Sequence, residues 1–315
     1  MSNGVVNGTT NGHTNGTTNG TANGTAGPQY VQATNPHLKT QAEDFLYHFG
    51  ISKTSGDIKS FKDIKIVCCG GSAGRFEMYA KQFGKDSGIP VSKNLSSSDR
   101  FVMYKTGPVL WVNHGMGVPS MSIMLNEVIK LLHYAEASDV SFIRIGTSGG
   151  VGVAPGTVVV SNGTLNGLFE EKHTQYIRRQ VVKRDAVLDQ SLAKELYDTG
   201  LRLGIPVENG MTLCADDFYE GQMRLDGAFC EYTAEDKFEF LKLLKEHGVR
   251  NIEMEATGFA SFTKRANVKA GIICVALLNR LNGDQVTIPH DDYIKFEFRP
   301  FNIVCAFIQA KIASL

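Results

Sequence analysis

Short apolar runs alternate with amphipathic stretches along most of the chain. Runs at 64–69 (IKIVCC), 101–105 (FVMYK), 109–113 (VLWVN), 141–146 (SFIRIG), 157–161 (TVVVS), 210–214 (GMTLC), 250–254 (RNIEM) and 271–277 (GIICVAL) predict β-strands. Several are continuously apolar, as in strands covered on both faces of a sheet. Helical spacing predicts helices over 119–135, opening at Pro119, and over 186–203, 233–247, 255–266 and about the last twenty residues. A further helix is predicted over 35–50. There Asn35 offers a cap, Pro36 suits the first helical position, Leu38, Ala42, Phe45, Leu46 and Phe49 share a face, and Gly50 terminates. Such alternation predicts a single α/β domain of three layers, α/β/α, around a central mixed, largely parallel sheet. No internal repeat is visible.

The pattern fails at the N-terminus. Residues 1–27 are a Gly/Asn/Thr repeat with almost nothing apolar to bury, so the entropy of ordering them is not offset. The expected organisation is a disordered tail over 1–30 and one domain over 31–315. The 315 residues carry 32 Lys plus Arg and 32 Asp plus Glu, a zero net charge that argues against a nucleic-acid or anionic-membrane partner. The longest apolar run, 272–278, is too short to span a bilayer, and no signal segment opens the chain. The six cysteines form no C-x-x-C pair, and no H-E-x-x-H is present, so no metal site is expected. The cysteines are expected to be reduced thiols and the protein cytoplasmic.

In open α/β sheets ligands bind at the carboxyl ends of strands, so the residues following each apolar run carry the candidate chemistry. After 64–69 comes GGSAGR, in which Gly71 and its neighbours allow close backbone approach and Arg75 adds positive charge. The spacing is neither a dinucleotide fingerprint nor a P-loop, which disfavours an NAD-type oxidoreductase, and a plain strand-to-helix turn accounts for the stretch equally well. RIGTSGG (144–150) is a second anion cradle, with Arg144 and Thr147; an arginine in an apolar strand must be paired, either with a ligand or with a structural carboxylate. His114, ending another strand, is read as structural. In DFYEGQMRLDG (217–227), Gln222 and Arg224 offer the donors and acceptor that suit the edge of a carbonyl-bearing heterocycle, and Phe218 offers a stacking face, although a polar surface loop fits too. Glu253 and Glu255 stand two apart at a strand end, where their side chains share a face and repel. A solvated strand end or a first helical turn explains them; so does a ribose whose vicinal hydroxyls need an acceptor, with Met254 beside it.

These blocks, GGSAGR, DRFVMYKTGPV, NHGMGVPS, IRIGTSGG, TLCADDFYEGQMRLDG, NIEMEA and LLNRLNGDQ, together resemble the uridine phosphorylases of animals, within the nucleoside phosphorylase superfamily. The resemblance runs from about residue 35 to the C-terminus. It implies reversible phosphorolysis of uridine to uracil and ribose 1-phosphate, in pyrimidine nucleoside salvage and catabolism, with inorganic phosphate as a substrate and no cofactor. It further implies a phosphate site of Gly71, Arg75, Arg144 and Thr147. Arg100 would reach that phosphate, and His48 the ribose 5′-hydroxyl, from a neighbouring subunit of a homodimer or larger homo-oligomer. Phe218, Gln222 and Arg224 would form the uracil pocket with Arg280, walled by Leu277 and Val286, while Glu253, Met254 and Glu255 would hold the ribose. The catalytic roles would fall to Arg224, Gln222, Glu255 and Arg144. The stretch SAGR departs slightly from the family, where a proline often stands two residues before the arginine. Broader use of thymidine and deoxyuridine, or a catalytically silent nucleoside-binding relative, are the alternatives.

Overall fold

The computed structural model describes residues 27–313. The predicted tail thus lies almost wholly outside the described residues; among these, the Gln29 backbone N–H donates to Asp139.

Strands β1 (Phe45–Leu46) and β2 (Ile51–Ser52) form a small antiparallel hairpin. The main elements follow: β3 (Ile66–Gly70), α1 (Ala73–Ser87), β4 (Met103–Thr106), β5 (Val109–Asn113), α2 (Gly117–Tyr134), β6 (Ser141–Gly150) and β7 (Val158–Leu165). After a second hairpin of β8 (Lys172–Ile177) and β9 (Gln180–Asp185) come α3 (Gln190–Arg202), β10 (Val207–Cys214), α4 (Ala234–Glu246), β11 (Val249–Glu253), α5 (Ala256–Arg265), β12 (Lys269–Asn279) and α6 (His290–Ile312).

The main sheet runs β11-β10-β7-β12-β6-β3-β5-β4. It is mixed and largely parallel, as predicted: β10 pairs parallel with β7 and β11, β6 with β3 and β12, and β3 with β5, whereas β4–β5 and β7–β12 are antiparallel. One feature was not foreseen. β11 also pairs antiparallel with the end of β6, Asn251 opposite Gly150 and Ile252 opposite Gly149, so half of the sheet curls into a closed ring. That closure brings the carboxyl ends of β6 and β11 side by side.

Alternation along the buried strands builds the two faces. Val67 and Cys69 of β3 join the core beneath α2 and α5 with Leu125, Val128 and Phe259. Ile66 and Cys68 point the other way, into a core with Phe76, Tyr79 and Phe83 of α1 and Phe301 and Val304 of α6. A smaller cluster seats α4 through Leu241 and Leu244 against Val249 and Ile252.

The predicted helix over 35–50 does not form. Asn35 does cap, accepting from the His37 N–H, and Pro36 opens a turn, but only a 3-10 turn over Pro36–Lys39 results. Tertiary partners prevail over local spacing in the rest. Asp44 pairs with Lys130 and takes the Tyr134 hydroxyl, and Glu127 of α2 accepts from the backbone N–H groups of both His48 and Phe49. Leu46 and Phe49 are buried as expected, whereas Phe45 faces outward. Helix α1 was implied by the strand-to-helix reading of GGSAGR but given no range, although Phe76, Tyr79, Ala80 and Phe83 carry helical spacing between the Ser72 cap and Gly88. The predicted strand 101–105 starts two residues later, at Met103, and β6, β7, β10 and β12 extend beyond their predicted ends.

Candidate active site

The ends of β3, β5, β6, β11 and β12 and the 217–227 loop surround a cleft of about 480 Å³, within the size range of small-molecule sites. Its lining includes Gly71, Arg75, Arg144, Thr147, Phe218, Gln222, Arg224, Glu253, Met254, Glu255, Leu277, Arg280 and Val286. Residues separated by more than two hundred positions in sequence thus meet, because β3, β6 and β12 are neighbours in the sheet and ring closure brings β11 against the end of β6.

One wall is built from charged groups. The turns after β3 and β5 are tied together, His114 N–H to Gly70 O at 2.7 Å and Gly115 N–H to Gly71 O at 3.1 Å. Arg144 leaves β6 into the interior and is almost wholly buried. Gly146 permits this, since a Cβ there would lie 3.3 Å from the guanidinium. Nη1 of Arg144 pairs with Glu253 at 2.8 Å and Nη2 with Glu255, while the buried Nε has no partner among the described residues. Burial opposes the guanidinium charge, but the two carboxylates outweigh it and hold its pKa well above the ordinary value. The two glutamates that repulsion alone would disfavour are therefore reconciled by one arginine between them, and the solvated-strand-end reading is overturned: both are buried. Glu253 also caps α5, accepting from the backbone N–H of Glu255 at 3.0 Å and of Ala256 at 2.9 Å. Burial pushes its pKa up to about 7, against the pull of Arg144. For Glu255, burial is outweighed by Arg144, His114 and the Gly117 N–H, and its pKa is lowered. Arg75, on the first turn of α1, pairs with Glu297 of α6.

A second group in the lining presents an amide. Arg280 is wholly buried, and Gly149 makes room for its stem. Its Nη1 donates to Gln222 Oε1 at 3.2 Å and its Nη2 to the Gln222 carbonyl at 2.7 Å. A guanidinium has only donors, so the amide atom facing it is oxygen and Nε2 is left for a ligand. Arg224 forms a two-pronged pair with Asp226, through Nε at 2.8 Å and Nη2 at 2.6 Å, and lies 4.5 Å over the Phe218 ring. Leu277 and Val286 complete the apolar side.

Two predicted residues stand elsewhere. Arg100 lies outside the cleft lining, highly exposed, with Asp99 alongside at 3.7 Å. His48 is half-buried and pairs through Nδ1 with Glu127 at 2.7 Å, also outside the lining. Conversely, His114, read as structural, lines the cleft. Its ring is buried, Nδ1 approaches Gly115 O at 2.9 Å, and Nε2 has no partner among the described residues. The strand-end rule that singled out Arg144 also marks His114, because it follows β5 directly. Ser72 and Ser148 in the lining lie within the two predicted anion cradles, whereas Met116 and Ile252 carried no comparable sequence signal. Among the described residues no cluster of His, Cys, Asp and Glu suits a metal.

The sequence model of the phosphorylase superfamily matches residues 65–309. The chain belongs to the phosphorylase superfamily. Among relatives of this superfamily, a Caenorhabditis elegans "uridine and thymidine phosphorylase" is 57% identical over 267 residues, covering 84% of this chain and 90% of its own length. Human uridine phosphorylase 2 is 43% identical over 293 residues, covering 91% of this chain and 92% of its own. The crystal structure of a Schistosoma mansoni uridine phosphorylase in complex with uracil superposes with a TM-score of 0.85 at 43% identity, over 88% of this chain and 98% of that one. The expected resemblance to animal uridine phosphorylases and the expected fold are thereby borne out.

Proposed function

We infer that this phosphorylase cleaves uridine with inorganic phosphate, giving uracil and ribose 1-phosphate. The observation that carries the reading is a single cleft lined by arginines and glycines, by buried carboxylates and by an amide with apolar neighbours, the three chemistries that phosphate, ribose and uracil call for.

In this reading phosphate lies against the Gly71 turn, Arg75, Arg144 and Thr147. The guanidinium groups neutralise the dianion and hold an oxygen in line with C1′. Glu255 accepts from the ribose hydroxyls beside Met254, and its charge, with that of phosphate, favours the oxocarbenium character that develops as the glycosidic bond lengthens. The departing uracil gains charge on its carbonyl oxygens, where Gln222 Nε2 and Arg224 donate. Donors that strengthen only in the transition state are typically worth about 3 kcal/mol each. No step calls for a cofactor.

The count of charges around the phosphate end favours a second subunit. Arg75 and Arg144 face Glu297, Glu253 and Glu255, so one chain offers no excess of positive charge, even with Glu253 protonated. An exposed Arg100 delivered by a partner chain supplies that excess, and His48 would arrive with it at the ribose. The buried, unpaired thiols Cys68, Cys69, Cys214, Cys274 and Cys305 fit a reducing, cytoplasmic setting.

A second reading, use of thymidine as well, is favoured by the apolar Leu277 and Val286 wall and by the name of the Caenorhabditis elegans relative. A pocket that admits a 5-methyl group changes binding by only about 1–3 kcal/mol. The test is a panel of uridine, deoxyuridine and thymidine with and without phosphate, run with a chelator, identifying both products. We expect uracil and ribose 1-phosphate only when phosphate is present. Release of free ribose, or no turnover, would overturn the assignment.

A further inference from the structure

Lys237 of α4 is almost wholly buried, at 2% exposure, on a helix whose other lysines and glutamates lie at the surface. A buried ammonium is costly unless paired. Its Nζ donates to Asp284 Oδ2 at 2.9 Å, which also accepts from the Leu225 N–H at 3.0 Å. The other oxygen, Oδ1, accepts from Arg280 Nε at 2.9 Å, and Arg280 holds Gln222 by both its amide and its carbonyl. A continuous chain of contacts therefore runs from α4 to the amide at the base end of the cleft.

Two cations share one carboxylate, so the group carries a net positive charge where solvent screens it weakly. Stability alone does not select this. An apolar side chain in place of Lys237 would leave Asp284 still paired with Arg280 as a neutral buried pair, so charge compensation of the carboxylate does not by itself require the lysine. An unmatched buried positive charge beside the pocket suits a ligand that becomes negative there. Phosphorolysis produces one: a phosphate oxygen bonds to C1′, the C1′–N1 pair departs on N1, and the proton carried in on hydrogen phosphate ends on the uracil anion.

We propose that Lys237 is a positioning residue for the leaving group, acting through Asp284 and Arg280 to hold the Gln222 amide and to keep the base end of the cleft one positive charge in excess. This rests on the uridine phosphorylase reading. Its influence grows with the charge on the departing base, which separates it from a role in folding. The experiment compares full-length Lys237→Met with the wild type on uridine and on 5-fluorouridine, whose electron-withdrawing fluorine makes the base a better leaving group in less need of help. With uridine, kcat should fall about tenfold or more, by analogy with loss of a transition-state donor. With 5-fluorouridine the fall should be several-fold smaller, the phosphate KM should hold steady, and Lys237→Arg should recover most of the difference. Should the Met variant melt below the assay temperature, Lys237→Gln removes the charge but keeps a donor for Asp284 and carries the same comparison. Equal losses on both substrates, or no loss, would overturn the proposal while leaving the function intact. A wild type that does not cleave uridine with phosphate would instead remove the function on which it stands.

Discussion

His114 closes β5 with a buried, neutral ring whose Nδ1 approaches Gly115 O. Burial, with Arg144 nearby, lowers its pKa from 6.5 to about 4. Between those values the unfolded chain binds a proton that the folded chain refuses, so this residue withdraws stability as pH falls. Glu253 works in the opposite sense: its pKa is raised from 4.5 to about 7, so the folded chain binds the extra proton and gains as pH falls through that window. The two act in opposite senses, and a substitution at His114 isolates its part. Between about pH 7.5 and about pH 4.5, the wild type should lose about 2–3 kcal/mol of unfolding free energy relative to His114→Gln. Urea unfolding at the two pH values measures this; a constant difference would mean that the ring is protonated inside the fold. At this scale the cleft-lining polar side chains were legible wherever a charged or amide group interrupted an apolar strand end, as with Arg144, Glu253 and Glu255. Their counter-charges were not. Glu297, Asp226 and Asp284 sit in a helix or in loops where acidic residues are ordinary, and nothing local distinguishes them from solvated ones.

Among the elements, those that pack a periodic face against the sheet formed as predicted: α2, α5 and α6 appear within a few residues of their expected ends. The 35–50 segment shows why periodicity is insufficient. Its cap and its apolar spacing are real, yet Glu127 of α2 accepts two backbone N–H groups and the His48 ring from a turn that a helix would not present. Glu127→Ala leaves those buried donors unmatched and should cost about 1–3 kcal/mol. Hydrogen exchange at Leu46–Gly50 should quicken far more than at β3 or β6. Uniform quickening would show that the segment is not separately held. The β8–β9 hairpin escaped prediction for another reason. Its tight turn is made by Arg178 and Arg179, both at positive φ, where Asn-Gly would have announced it.

Over the whole molecule the question is how many chains make one site. Arg100 and His48 lie outside the cleft of their own chain, and around Arg75 and Arg144 the carboxylates leave no excess of positive charge for the proposed phosphate. Arg75→Ala and Arg100→Ala should each be nearly inactive. A mixture refolded or exchanged to equilibrium should recover about a quarter of wild-type activity, since half of the dimers are hybrids with one intact site each. Demonstrated exchange with no recovery would make each chain self-sufficient.

The order of apolar runs by itself determined an α/β fold with a mixed, largely parallel sheet, because burial on both faces leaves its mark on most strands of the main sheet. Charged groups at strand ends likewise marked where chemistry would gather, since their burial must be compensated by a partner or a ligand. Only the tertiary structure decided which partners those are. Ring closure between β6 and β11 sets Arg144 against two glutamates, and the approach of α4 to the 280–284 turn sets Lys237 behind Gln222. Pairings of this kind depend on distances between residues far apart in the chain, which local spacing does not encode.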